Sequence, residues 1–294
     1  MLDSVAGALS PAIRDLLAEW SLPIPVTAAI ALTALIYIRG FVLIHRTRPA
    51  QFTNLRLASF LAGTALLWIA IASPMDAFAD TLLSIHMVEH LLLMCVIPPL
   101  LLYGLPFVPL LRGVPRSLRR PVLTPLLHQR WLRSVAQLLV KPRVAFLTMN
   151  LGYLLWHIPT LYDLALQNEA WHAIEHLCFL VPSLLFWYTI LWPWPARPHH
   201  RPWSAIFYLL ASDILMTILC AFLTFCDRPI YHYYVAHPNP FGINPLNDQV
   251  LGAVIMWVLG SFAFLLPAVG ITFWLLSPQK PMTHLTNRSD QTRR

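Results

Sequence analysis

Residues 82–103 read LLSIHMVEHLLLMCVIPPLLLY, an almost wholly apolar run that nevertheless contains His86, Glu89 and His90. About 20 apolar residues are needed for a helix to cross the hydrocarbon core of a bilayer. Ionisable side chains within such a helix are costly unless they face other protein groups. This stretch therefore predicts a membrane-spanning helix whose polar face is turned into a bundle of helices.

The composition of the whole chain supports this interpretation. Of its 294 residues, 57% are hydrophobic and only 11% are charged, whereas about a quarter are charged in soluble domains. The 11 Trp, 15 Phe and 9 Tyr exclude a disordered chain, because disordered segments are poor in aromatic residues. We predict an all-α polytopic membrane protein with one transmembrane domain, residues 1–276, and a polar tail, residues 277–294.

Apolar stretches and basic residues together predict the topology. Seven stretches can form spans: 24–45, 55–73, 82–103, 143–159, 171–193, 203–225 and 249–276, of which the fourth is the shortest. The first, third and fifth loops and the C-terminal tail, counted with their immediate helix ends, hold 17 of the 20 basic residues. Cytoplasmic loops carry the Lys and Arg, so the N-terminus is expected outside and the C-terminus in the cytoplasm. The net charge of +7 is explained by this topology, and no nucleic-acid partner is needed.

The long third loop, residues 104–142, is expected in the cytoplasm. Trp131, Val135, Leu138 and Leu139 follow helical spacing within it. This pattern predicts an interfacial helix that lies on membrane lipid with its arginines toward the phosphates. A partner-binding site is the alternative.

The motif in span 3 occurs a second time in span 5. His86-Met87-Val88-Glu89-His90-Leu91 and His172-Ala173-Ile174-Glu175-His176-Leu177 both match HxxEHL. Similar segments precede them: one ends at Pro74, 12 residues before His86, and the other ends at Pro159, 13 residues before His172. Spans 2–3 and spans 4–5 are therefore predicted to be two copies of one helical hairpin, related as parallel repeats.

Helical spacing places the two histidines and the glutamate of each motif on one helix face. Two such triads on separate helices can compensate each other most simply by facing each other around a cation. The candidate metal ligands are, near the predicted outer side, His86, Glu89, His90, His157, His172, Glu175, His176 and Asp248. Each glutamate is expected to be an outer partner that serves either a histidine of the facing helix or the histidine three residues earlier on its own helix. Nearby Met and Cys side chains add soft sulfur atoms, and imidazole with sulfur suits copper, Cu(I) in particular.

Two other functions remain open at this point. One histidine from each of spans 3 and 5 could be an axial ligand of a haem held in the bundle. HxxEH also occurs as a zinc signature of metalloproteases, with two histidine ligands and a glutamate base, which would make the protein an intramembrane zinc-dependent hydrolase. A hydrolase needs only one such motif, so the duplication favours a protein that is not an enzyme.

Three stretches of the chain resemble a known family. They are ASPMDAFADTLLSIHMVEHLLLMCVIPPLLLYGLP (72–106), LLWHIPTLYDLALQNEAWHAIEHL (154–177) and DQVLGAVIMW (248–257). They are similar to the CtaG-like family of membrane cytochrome c oxidase assembly factors, which is associated with caa3-type oxidases. The resemblance covers about residues 24–276. Many members have DQxxGG where this chain has Gly252 followed by Ala253, a difference that concerns helix packing.

The resemblance implies a role in respiratory chain biogenesis. It implies a multi-pass protein of the bacterial inner membrane that helps to mature the oxidase by supplying copper from the outer side. Cytochrome c oxidase subunits or copper chaperones are the partners implied. Copper is thus the expected cofactor, and zinc or haem are the alternatives.

Overall fold

The computed structural model describes residues 23–191 and 202–277, together with residues 11, 13, 15, 20 and 193. These residues are predominantly helical, with no strand among them, so the predicted all-α fold is confirmed. The main helices are α1 (Ile24–His45), α2 (Asn54–Ala72), α3 (Leu83–Tyr103), α4 (Pro142–Trp156), α5 (Glu169–Leu191), α6 (Pro202–Phe225) and α7 (Pro245–Leu276). Between them lie short helices: Pro74–Ala79, Phe107–Gly113, 116–128, Arg130–Leu139, Pro159–Gln167 and His232–Ala236. The predicted tail lies, from residue 278 on, outside the described residues.

At the place of the fourth predicted span lies a short helix, α4, with a second helix bent against it. Helix α4 has 15 residues, or about 22 Å at 1.5 Å per residue, which is less than the roughly 30 Å of a bilayer core. In the described part of the chain six helices are long and apolar enough to cross alone. A seventh crossing requires α4 together with Arg130–Leu139, from which it is bent by 69°. Helix α4 ends before the predicted residue 159 because Pro159 favours an extended conformation at Ile158.

The segment Arg130–Leu139 is a helix, at the place where the third loop predicted one. Trp131, Val135 and Leu138 of this helix are exposed. Exposed apolar side chains of this kind suit contact with lipid, and the position of the helix at the membrane surface remains a prediction.

The two predicted hairpins are packed pairs of helices. Helix α2 packs on the second half of α3, and α4 packs on α5. The two prolines of the repeat have the same structural role, since Pro74 and Pro159 each begin a short helix that precedes a motif. Proline suits this position because its missing N–H would have no helical partner there. The duplication in sequence thus extends to a duplicated helix–short helix–helix unit.

Helix α3 changes its hydrogen-bonding pattern below its motif. Residues Leu92–Val96 form a π-helical turn, a feature that often lies at functional sites. Pro98 has no N–H to donate to the Met94 carbonyl. The indole Nε1–H of Trp187, on α5, donates to that carbonyl instead, at 2.8 Å. This bond attaches α3 to α5 just below the two motifs.

Helix α7 packs closely against the start of α3. A Cβ at Gly252 would lie 3.2 Å from the Ser84 Cα and 3.3 Å from the Met87 Cγ, so a glycine allows this approach. The carboxylate of Asp248, one turn earlier on α7, accepts hydrogen bonds from the N–H groups of Leu83 (2.6 Å) and Ser84 (3.2 Å). These N–H groups have no partner within α3, so α7 caps the helix that holds the first motif.

Candidate metal centre

Helices α3 and α5 are neighbours, and their HxxEH motifs face each other. The ring centroids of His86 and His172 lie 5.3 Å apart, and those of His90 and His176 lie 5.9 Å apart. Both glutamates of the motifs are completely buried. The prediction that spans 3 and 5 pair with their motifs turned inward is therefore confirmed.

Each glutamate lies beside histidines of the facing helix. The Nε2 of His176 is 3.4 Å from an Oε1 atom of Glu89. The carboxylate of Glu175 is 3.6 Å from the Nε2 of His90 and 3.9 Å from that of His86. Helical spacing left two partners open for each glutamate, because a glutamate and the next residue point in different directions around one helix. The structure has the crossed alternative.

The orientation of His86 is fixed by a tyrosine from the sixth loop. Burial raises the pKa of the Tyr234 phenol, which keeps it protonated, and its O–H donates to the Ala79 carbonyl at 2.8 Å. The His86 Nδ1, 3.2 Å from the Tyr234 oxygen, must then carry the proton and donate. The lone pair of His86 is therefore on Nε2, the atom that lies 2.8 Å from the Nε2 of His90. Metal-binding histidines usually have their second nitrogen held in this way.

Three overlapping groups of side chains bring their potential ligand atoms within 4.8 Å of one another in the described residues. The buried group is His86, His90 and Glu175; the middle group is His86, His172 and His176; the entrance group is Asp76, Glu89 and His172. His86 is shared by the buried and middle groups, and His172 by the middle and entrance groups. The donors thus form a continuous series from Asp76 to Glu175.

Many polar atoms in these groups have no hydrogen bond. They are both carboxylate oxygens of Glu89 and of Glu175, Nδ1 of His90, and Nε2 of His172 and His176. Burying carboxylates and imidazoles without partners costs free energy. A cation bound among them would compensate for that cost, so the arrangement of side chains fits a metal ion.

A cavity of about 780 Å³ lies next to the cluster. Its wall includes His172 and His176 together with three acidic side chains, Asp76, Asp80 and Glu169. His86 and His90, with 0% and 1% of their surfaces exposed, lie behind this wall. The second motif therefore lines the cavity, whereas the first is shielded from it.

Two of the predicted ligands lie outside the three groups. Asp248 is buried, and its two oxygens are used to cap α3. His157 is also buried; its Nδ1–H donates to the Tyr153 carbonyl at 2.7 Å, and its Nε2 has no hydrogen bond. The cysteines are free thiols and belong to none of the three groups.

Sequence reasoning missed two residues of the site. Asp76 joins the entrance group, and the available signal was its position in the segment before the first motif, two residues after Pro74. Tyr234, which orients His86, lies 148 residues away along the chain. It had no signal, because an aromatic residue in a loop rich in tyrosine gives no indication of its partner.

Comparison with known proteins gives a family match over most of the chain. Residues 35–277 match the family described as Cytochrome c oxidase caa3 assembly factor (Caa3_CtaG). Curated relatives are uncharacterized proteins of Mycobacterium bovis and Mycobacterium tuberculosis, each 28% identical over 274 residues, which is 90% of this chain and 40% of the relative. An uncharacterized protein of Mycobacterium leprae is 26% identical over 231 residues, 75% of this chain and 34% of that protein. The chain thus spans less than half the length of these relatives, and no solved structure matches it.

Proposed function

Because the chain belongs to the cytochrome c oxidase caa3 assembly factor family, we propose that it takes part in assembling the oxidase by binding copper and passing it on. With six or more apolar helices and bacterial relatives, it is a multi-pass protein of the inner membrane. Oxidase subunits or copper chaperones are the proposed partners. Lipid surrounds the bundle, and the basic-residue pattern predicts that the metal centre opens to the outer side.

One observation supports the proposal above all others. Two completely buried carboxylates face imidazoles across the α3–α5 contact, and no hydrogen bond reaches any of their four oxygens. A structural role would favour hydrogen-bonded polar groups or apolar packing at such a place. A bound cation would explain why carboxylates and imidazoles are buried together here.

The donor atoms favour copper in its divalent state. Cysteine sulfur, part of the soft ligand set expected from the sequence, is absent from the three groups of the described residues. Imidazole nitrogen with carboxylate oxygen suits Cu(II), whereas Cu(I) prefers thiolate or thioether ligands. We therefore propose Cu(II) in the buried group, His86, His90 and Glu175.

Zinc is the second candidate for the same atoms. Two histidines and one glutamate also form the ligand set of catalytic zinc sites, and the buried group has this composition. A zinc hydrolase must, however, admit a water and a substrate, whereas the side chains of this group are at most 2% exposed. A haem needs one ligand on each side of a flat ring, so three converging imidazoles favour an ion over haem.

The proposal is tested by the copper content of the purified full chain in detergent. We expect about one tightly bound copper in the wild-type protein and a loss of at least 100-fold in affinity in His86→Ala. The matched control is His237→Ala, which removes an exposed histidine near the same end of the bundle, outside the three groups.

Two results would contradict the proposal. One is a wild-type protein that binds no copper under conditions in which it is folded. The other is a folded His86→Ala variant with wild-type copper content. A complementary measurement, the copper content of the oxidase in cells that express each variant, tests the role in assembly separately from binding.

A further inference from the structure

We propose that the entrance group, Asp76, Glu89 and His172, is a second metal site that captures a divalent transition-metal ion and loads the buried group. This inference rests on the proposed function, because it assumes that the buried group binds the ion tightly. The entrance group holds two carboxylates and one imidazole whose ligand atoms lie within 4.8 Å of one another. It has two carboxylates and one imidazole where the buried group has one carboxylate and two imidazoles, and two of its residues line the cavity.

The cavity provides access to the entrance group. Asp76 and His172 line it, and Asp80 and Glu169 lie in the same wall. Three carboxylates beside a space of about 780 Å³ raise the local concentration of cations. The cavity therefore leads a hydrated ion to the entrance group before any buried donor.

Glu89 indicates that the entrance group is a binding site and not only an acidic surface. Its side chain is completely buried, and neither of its oxygens has a hydrogen bond. The Nε2 atom of His176 lies 3.4 Å from the Oε1 atom of Glu89. A buried carboxylate in this state is stabilised by nearby positive charge, which an ion between Asp76 and Glu89 would supply.

The shared histidines define how an ion moves inward. His172 belongs to the entrance and middle groups, and His86 to the middle and buried groups. An ion can therefore exchange one ligand at a time without losing all its protein ligands. Along this path two carboxylates and one imidazole give way to three imidazoles, and then to two imidazoles and one carboxylate. Nitrogen donors bind Cu(II) better than oxygen donors do, which favours the first step. The second step is favoured by the buried, unpartnered carboxylate of Glu175, whose charge a cation would compensate.

The test is rapid mixing of Cu²⁺ with the full chain in lipid nanodiscs, followed by freeze-quench EPR, which reports the number of nitrogen ligands. We expect an early signal with one nitrogen ligand that converts to a signal with more. Asp76→Asn should slow uptake about tenfold. Asp76→Glu, which keeps the carboxylate, should restore most of the rate. The matched control is Asp227→Asn, an exposed acid in the sixth loop.

The outcomes separate this inference from the proposed function. If Asp76→Asn loads at the wild-type rate while His90→Ala loses the tight copper, the loading route is wrong and the proposed function stands. If Asp76→Asn loses tight copper as His90→Ala does, Asp76 belongs to the tight site and the two-site scheme is wrong. If the wild-type protein takes up no copper, the proposed function fails and this inference with it.

Discussion

The two copies of HxxEH have nearly the same sequence and different surroundings. In the first copy His86 and His90 are 0% and 1% exposed. In the second copy His172 and His176 are partly buried and line the cavity. The start of the first helix is capped by a carboxylate from α7, whereas that of the second is capped by its own Asn168, which accepts from the N–H groups of Ala170 and Trp171.

This difference shows that duplication does not imply equal roles. Helices α7 and His232–Ala236 cover the first motif through Asp248 and Tyr234. The second motif has no comparable cover among the described contacts and is left facing the acidic cavity. Each glutamate nevertheless lies beside histidines of the other copy. The buried group therefore combines two histidines of the first copy with the glutamate of the second.

The largest expected effect is on copper affinity, when the second histidine of each motif is replaced. His90→Ala removes a ligand of the buried group and should weaken copper binding by at least 100-fold. His176→Ala, the same position in the second copy, removes a ligand of the middle group only and should weaken it by about tenfold, in the range of losses around metal sites. Isothermal titration of both variants measures this difference. Equal losses would mean that the two copies act alike.

For the glutamates, the loss of copper affinity should be larger in the second motif than in the first. Glu175→Gln, in the second copy, should cost more affinity than Glu89→Gln, in the first, because only Glu175 belongs to the buried group. We expect about 100-fold against about tenfold, from competition titrations with a copper chelator. A larger loss in Glu89→Gln would place the tight site at the entrance group.

The caps predict a difference in stability. Asp248→Ala removes the acceptor of two backbone N–H groups at the start of α3 and should lower the free energy of unfolding by about 2 kcal/mol. Asn168→Ala removes an exposed cap of α5 and should cost about 1 kcal/mol. Thermal unfolding in detergent compares the two. An Asp248→Ala protein as stable as the wild type would show that the cap contributes nothing.

The smallest effect is expected from Tyr234→Phe. It removes the acceptor of the His86 Nδ1–H and leaves the ring that fills the space. Loss of a hydrogen-bond partner of a metal-binding histidine costs about 10- to 100-fold in metal affinity. We expect a loss of about tenfold, because all the histidine ligands remain. A Tyr231→Phe variant, which also removes a buried phenol oxygen of the sixth loop, is the control. Unchanged affinity in Tyr234→Phe would remove the tyrosine from the site.

Hydropathy and helical spacing were enough to predict much of the architecture. Five spans lie within two residues of their predicted limits, and the last begins four residues earlier than predicted, because a bilayer requires a fixed length of apolar helix. The inward placement of the motifs was also predictable, since unpaired carboxylates are costly in lipid. The side of the membrane on which the motifs lie remains a prediction from the basic residues.

Contacts between distant segments could not be predicted in the same way. Asp248 was predicted as a ligand because it is an acid near the right level, but only the packing of α7 on α3 shows that it caps a helix. Separate helices before and after Lys141 were predicted, but the sequence did not show that a seventh crossing needs both of them, bent by 69°. The asymmetry of the two motifs likewise depends on which loops cover them.

The coordination of bound copper tests the central claim most directly. X-ray absorption spectroscopy of the copper-loaded wild-type protein reports the ligand atoms and their distances. The buried group, His86, His90 and Glu175, predicts only nitrogen and oxygen ligands at about 2.0 Å, with outer-shell scattering from two imidazole rings, and His90→Ala should lower that to one. A sulfur ligand near 2.3 Å, or imidazole scattering that His90→Ala leaves unchanged, would contradict the account.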